Sequence, residues 1–273
     1  MAAAASHTSL LLLVAVPAGA FAVAWHGSLQ HEIIHGHPTR SRALNTLLAS
    51  LPVGLVLPFG IYRAQHLAHH GSRALTSPLD DPESFYVTRA WWTRAGRVSR
   101  ALATAQTTLA GRLVLGPPVM ATRFLAGELR AFARGDLRHA RAWTAHLVGV
   151  ALVLAWLHFV GLSLERYVLL FVYPGAALTL VRSFAEHRPA ASAAHRSAIV
   201  EAGPVARLLF LNNTFHYLHH ESPATPWYEL PARYAARKSH VLAANGGFVV
   251  PGYLRLAARY GLRAKDAAVH PDG

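Results

Sequence analysis

The chain has 273 residues, enough for one sizeable domain, and no low-complexity linker divides it. It contains no cysteine, which excludes disulfides, iron–sulfur clusters and thiolate metal sites. Charged residues make up only 14%, and 26 basic against 13 acidic residues give a formal charge of +13. A low charged fraction combined with long apolar blocks indicates a membrane protein whose arginines face the cytoplasm, and we expect no nucleic-acid partner.

The first apolar block, residues 8–30, is long enough to cross a bilayer, which takes roughly 20 residues. The alternative is a signal peptide, since residues 16–20 resemble a cleavage site, but the basic start of such peptides is missing. A second block, 43–62, is interrupted by two prolines and two glycines. We predict that this block lies bent at the cytoplasmic interface, because a full crossing would separate the histidines that flank it.

The middle of the chain, 63–142, is rich in arginine, and its apolar part, 101–121, is too broken to predict a span. Residues 143–161 and 166–182 then predict a helical hairpin joined by a short polar turn. The chain after the hairpin, which ends in a basic cytosolic tail at 226–273, contains no further predicted span. The whole chain is therefore predicted to be one all-α integral-membrane domain: a transmembrane helical bundle with three spans and a cytosolic helical cap.

Eighteen histidines are several times the usual share, and eight of them fall into three clusters. In a helix, positions i, i+3 and i+4 share one face, so each cluster directs two or three imidazoles toward one point. Imidazole suits iron and zinc, and eight such ligands exceed what one tetrahedral ion needs, which favours two metals. The clusters are His31-Glu-Ile-Ile-His35, His66-Leu-Ala-His69-His70 and His216-Tyr-Leu-His219-His220.

Other functions fit parts of this pattern. The first cluster also satisfies HExxH, the zinc metalloprotease signature in which Glu32 would act as general base, but that chemistry leaves the two HxxHH clusters unexplained. A metal transporter or storage protein would place ligands along a path through the spans rather than at their ends. His26 and His37 flank the first cluster and are candidates for supporting or substrate contacts.

The order HxxxH, HxxHH, HxxHH resembles the membrane fatty-acid desaturase and hydroxylase superfamily, as do the segments 31–38, 75–83 and 211–220 around the clusters. The resemblance implies a histidine-rich di-iron site on the cytoplasmic side of the membrane, the inner membrane if the protein is bacterial. It also implies O₂ as co-substrate and desaturation or hydroxylation of a lipid, fatty-acyl or other apolar substrate. Electrons would come from a separate ferredoxin-, rubredoxin- or cytochrome b5-like donor with its reductase.

The resemblance adds a ninth ligand just after the last span, where this chain has His187. Four residues earlier, where acyl-CoA desaturases have an asparagine that holds a metal-bound water, this chain has Ser183. The ligand set that the resemblance implies is His31, His35, His66, His69, His70, His187, His216, His219 and His220.

Ligating imidazoles usually donate their second N–H to a carboxylate or carbonyl. The side chains beside the clusters that could accept such bonds are Glu32, Asp80, Asp81, Glu186, Asn212, Asn213 and Glu221. The run Asp81-Pro82-Glu83 allows a second interpretation, in which Asp81 caps a helix that begins at Pro82. Both interpretations of Asp81 remain open from the sequence.

Overall fold

The computed structural model describes residues 2–72 and 74–272, with side chains described from residue 13 onward. It is mostly helical, as predicted. The helices are α1 Ala2–Ile34, α2 Arg42–Ser50, α3 Phe59–Gly71, α4 Arg89–Arg94, α5 Arg97–Ala105, α6 Leu109–Ala133, α7 Ala140–Phe159, α8 Leu164–Tyr167, α9 Tyr173–Glu186, α10 Pro204–Leu209, α11 His216–Glu221, α12 Leu230–Ala244 and α13 Tyr253–Tyr260. A π-helical turn, Val168–Val172, joins α8 to α9, and a 3₁₀ turn covers Ala193–Arg196.

Two helical segments in the described part of the chain are long and apolar enough to cross a membrane. They are Ala140–Phe159 and Leu164–Glu186, which cover most of the predicted hairpin. Large apolar side chains on α7, among them Leu152 and Phe159, are exposed, as expected of a surface that contacts lipid. The predicted first span, 8–30, lies inside α1, and the side chains of its first five residues are outside the described part.

Close helix crossings hold α1, α6 and α9 together, and small residues permit them. A Cβ on Gly175 of α9 would lie 2.6 Å from Val23 Cβ of α1. A Cβ on Gly116 of α6 would lie 2.4 Å from a methyl carbon of Leu180. Such glycine contacts are typical of membrane helix packing, because they let two backbones approach closely. Helix α6 covers much of 101–121, the segment in which the sequence predicted no span, and it continues through Pro117 and Pro118.

The block 43–62 is bent: α2 ends at Ser50, a turn follows, and α3 begins at Phe59. The turn contains Leu55 with a φ of 63°, and its carbonyl groups accept hydrogen bonds from the hairpin. His146 Nε2 is 3.0 Å from the Leu55 oxygen, and the Tyr167 hydroxyl donates to the Val53 oxygen at 2.8 Å. These bonds fix the direction of α3, which carries the second histidine cluster.

The cap is not purely helical, because two short parallel strands lie in it: β1 Ile199–Val200 and β2 Val249–Val250. Around them, Leu230, Val241 and Leu256 are buried, so the basic tail predicted at 226–273 is part of a packed layer. Its end lies against the loop that follows α3. The backbone N–H of His270 donates to the Val87 oxygen at 3.0 Å, and His270 Nε2 lies 3.0 Å from Thr76 Oγ1.

Candidate metal centre

The structure brings together all nine histidines of the predicted ligand set. They divide into two groups, and within each group the candidate ligand nitrogens all lie within 4.8 Å of one another. The end of α1, the helix α3, the residue that follows α9 and the helix α11 supply them. The five-histidine group is His31, His35, His66, His70 and His219, and the four-histidine group is His69, His187, His216 and His220.

Ring nitrogens face one another inside each group. In the five-histidine group, His66 Nε2 is 3.1 Å from both His35 Nε2 and His70 Nε2, and His70 Nε2 is 2.9 Å from His219 Nε2. Two nitrogens at right angles on a metal with bonds of about 2.1 Å would also stand about 3.0 Å apart. The spacing therefore fits nitrogens that share one metal ion.

The four-histidine group has the same spacing. His187 Nε2 is 3.2 Å from His69 Nε2 and 2.9 Å from His216 Nε2, and His216 Nε2 is 3.0 Å from His220 Nε2. His187, which belongs to no sequence cluster, therefore lies inside this group. It is the C-cap residue of α9, and its extended backbone, with φ −128° and ψ 151°, takes the chain out of the helix.

Hydrogen bonds at the far side of the rings show which nitrogens are free to bind a metal. His69 Nδ1 lies 2.8 Å from Asp81 Oδ1, and His187 Nδ1 lies 3.2 Å from the Arg196 carbonyl oxygen. Both oxygens are acceptors, so each Nδ1 carries the hydrogen, and in a neutral ring Nε2 then presents a lone pair. The two Nε2 atoms face each other, an arrangement that a shared cation would stabilise. The donor set thus fits a metal.

Burial favours the neutral, metal-binding form of several of these rings. For His69, burial would lower the pKa, but the hydrogen bond with Asp81 raises it. Burial, followed by the charges of neighbouring histidines, lowers the pKa of His35 to about 3 and that of His70 to about 2. Burial is also the main reason why the pKa of His187 is lowered to about 3. Because a metal ligand must be deprotonated, these shifts leave His35, His70 and His187 ready to bind metal at neutral pH.

Of the predicted supporting residues, Asp81, Glu186 and Asn213 contact the histidines. Glu186 Oε1 lies 3.2 Å from His216 Nδ1, and Asn213 Oδ1 lies 3.0 Å from the same nitrogen. Burial alone would raise the pKa of Asp81, but the hydrogen bond from His69 lowers it. Asp81 also accepts a bond from the Glu83 N–H at 2.9 Å, which forms a turn, and no helix begins at Pro82.

Three of the other predicted supporting residues lie elsewhere. Asp80 accepts a hydrogen bond from Ser77, and Glu221 pairs with Arg237. Asn212 is buried but donates to the Trp227 carbonyl rather than contacting a ligand histidine. His26 and His37 belong to neither group, since their ring nitrogens lie near the carbonyls of Leu48 and Ala224. Ser183 donates to the Leu180 carbonyl at 3.3 Å.

Glu83 is the supporting residue that the sequence analysis missed. Its Oε1 lies 2.8 Å from His66 Nδ1, the same arrangement that Asp81 makes with His69. Burial would raise the pKa of Glu83, but the adjacent His66 imidazole lowers it, so the carboxylate is ionised. The run Asp81-Pro82-Glu83 therefore contacts both groups, one acid for each. Acids two residues apart after a HxxHH cluster are the signal that could have identified Glu83.

Glu32 does not have the position that a metalloprotease needs. It is buried beside His31, with Oε1 3.7 Å from His31 Nδ1, and Oε2 accepts a bond from the Trp227 N–H at 3.3 Å. Its two HExxH partners lie in a group with three further histidines. The first cluster is therefore one part of a larger centre.

Apolar helices consistent with a membrane protein therefore accompany two adjoining histidine groups that are able to hold metal. The sequence profile of the family described as Fatty acid desaturase matches residues 7–250, so the chain belongs to the fatty acid desaturase family and is an oxidoreductase. No curated protein matches the chain. The family confirms the resemblance drawn from the three clusters.

Proposed function

We propose that this protein is a di-iron oxidoreductase that uses O₂ to desaturate or hydroxylate an unactivated C–H bond of a lipid, a fatty-acyl chain or another apolar compound. Family membership supports this class of reaction. The observation that carries the proposal is the division of nine histidines into groups of five and four whose ring nitrogens face one another. The chemistry that two irons supply in such a site is reductive activation of O₂, which allows unreactive C–H bonds to be oxidised.

In this proposal the chain's own residues hold the metal ions and orient the rings that bind them. Asp81, Glu83 and the Arg196 carbonyl accept the Nδ1 hydrogens of three rings and thereby fix the Nε2 atoms as ligands. Most of the nine rings are buried, which limits the access of water to the site. A single site of this kind can support two outcomes. Insertion of one oxygen atom gives an alcohol and one water, and removal of two hydrogens gives an alkene and two waters; each consumes one O₂, two electrons and two protons.

In this proposal the electrons come from a separate protein; the chain has no cysteine, so it cannot hold an iron–sulfur donor of its own. The arginine-rich segments around the histidine clusters would suit a small acidic donor of the ferredoxin, rubredoxin or cytochrome b5 type, supplied by its reductase. These segments also favour a site on the cytoplasmic side, at the inner membrane if the protein is bacterial.

Metal analysis of the purified protein tests the proposal first. We expect about two irons per chain, one for each histidine group, and no stoichiometric zinc. The His219→Ala variant should lose iron, because this ring is buried in the five-histidine group. One zinc per chain that survives His219→Ala but is lost in His35→Ala would instead support a metalloprotease.

Product analysis tests the reaction. The chain is expressed with a ferredoxin and its reductase, and the lipids are extracted and analysed by mass spectrometry. We expect products that contain one additional oxygen atom or lack two hydrogen atoms, formed only with O₂ and abolished by His219→Ala. Protein that contains two irons, receives electrons and leaves all lipid classes unchanged would contradict a lipid substrate.

A further inference from the structure

A buried arginine on α9 stands behind the four-histidine group. Arg182 and Glu186 are four residues apart, so they share one face of the helix, and both are buried. Arg182 Nε lies 3.1 Å from Glu186 Oε1. Both belong to a segment that can cross a membrane, where ionisable side chains are rare because they are costly to bury. Their presence there points to a function.

The same carboxylate oxygen lies close to three nitrogens. Besides Arg182 Nε, Glu186 Oε1 has His216 Nδ1 at 3.2 Å and Asn213 Nδ2 at 3.3 Å. His216 Nε2, on the other side of that ring, faces His187 and His220 inside the four-histidine group. The guanidinium is thus connected to the metal-binding face of His216 through one carboxylate.

A buried carboxylate needs a cation or several hydrogen bonds to hold it in place. The other two acids of the centre differ in this respect, because Asp81 also accepts backbone N–H groups of its turn and Glu83 is only partly buried. Glu186 lies within a helix and has Arg182 as its charged partner. Removal of the guanidinium would leave the buried carboxylate without its charged partner and free to take another rotamer.

We propose that Arg182 is a positioning residue: it holds Glu186 against His216 and thereby sets the metal affinity of the four-histidine group. The inference rests on the proposed function, since it assumes that both groups bind metal. It assigns the effect to the four-histidine group, because Glu186 connects Arg182 to His216. The proposal also predicts that, in a protein without Glu186, replacement of Arg182 no longer changes the metal affinity.

The test is a titration of iron-free protein with Co(II) under anaerobic conditions, followed by the visible absorption of the bound ion. Wild-type protein should bind two ions. Arg182→Met should bind one of them about 10–100-fold more weakly, the usual consequence of losing an outer partner of a ligand histidine, and leave the other unchanged. The matched control is Arg233→Met, which breaks an exposed Arg–Glu pair, also four residues apart, with Glu229. This control should bind both ions as wild type does.

A double-mutant cycle separates positioning from a general effect on folding. Glu186→Gln alone should weaken the same ion, and Arg182→Met with Glu186→Gln should weaken it no further. The double variant also removes both buried charges, so it can be tested even if Arg182→Met does not fold. Unchanged affinity in Arg182→Met, or a double variant clearly weaker than Glu186→Gln, would overturn the proposal. Wild-type protein that binds fewer than two ions would overturn the proposed di-iron function instead.

Discussion

Replacement of His187 by alanine is the sharpest test of the ligand set, because this residue belongs to no sequence cluster. In the structure its Nε2 lies between His69 Nε2 and His216 Nε2, at 3.2 and 2.9 Å. The variant reduces a four-ligand group to three and leaves the five-histidine group intact. Loss of an outer partner of a ligand costs about 10–100-fold in affinity, or about 1.4–2.7 kcal/mol, and loss of a ligand should cost more.

We therefore expect the iron content of His187→Ala to fall from about two per chain to about one, with turnover lost as completely as in His216→Ala. The assay is metal analysis of purified protein combined with product formation. His195→Ala is the control: this ring packs against the backbone at Gly246, outside both groups, and its loss should change neither quantity. Thermal unfolding of the metal-free proteins shows whether either substitution damages the fold. A His187→Ala protein with two irons and near-normal turnover would refute the assignment.

Three further outcomes are expected. Glu83→Gln should weaken one metal ion about 10–100-fold in a Co(II) titration, whereas Asp80→Asn, whose carboxylate is exposed, should not; equal effects would contradict the contacts described above. Single cysteines at Arg40 and Gly71, both exposed, should label from the same side of the membrane in this cysteine-free chain, and labelling from opposite sides would separate the first two clusters. Burial lowers the pKa of His270 below 6.5, so the unfolded chain takes up this proton first as pH falls. Thermal stability should consequently decrease below about pH 6.5 more in wild type than in His270→Gln, and parallel pH profiles would contradict this.

The histidine clusters could be predicted because their chemistry is local. Spacings of three and four residues on a helix place His66, His69 and His70 on one side of α3, whatever the rest of the fold does. The sequence did not show how the histidines of each cluster are divided between the two groups. His66 and His70 belong to one group and His69 to the other, so α3 contributes to both. Adjacent residues such as His69 and His70 point in different directions around the helix, and only the packing of α1 and α11 decides which ring joins which group.

The supporting contacts were harder to predict, because they depend on turns and backbone groups. Asp81 was predicted as a partner and lies against His69, but its neighbour Glu83 was missed, since a turn rather than a helix follows Asp81. That turn needs Thr76 in a left-handed conformation, with a φ of 75°, and its N–H donates to Asp81 Oδ2. The acceptor for His187 is the Arg196 carbonyl, and a backbone carbonyl carries no signal in the sequence.

The end of the chain contributes to the centre although the family match stops at residue 250. Lys265 donates from Nζ to the carbonyl oxygens of Phe184 and His187, at 2.8 and 2.6 Å. These carbonyls lie at the C-terminal end of α9, where the helix leaves its last acceptors unpaired and a cation is favoured. Because His187 leaves the helix at this point, the lysine fixes the backbone from which its ring reaches the four-histidine group. The segment predicted as a basic tail thus supports the position of His187, the proposed ligand that lies outside the three sequence clusters.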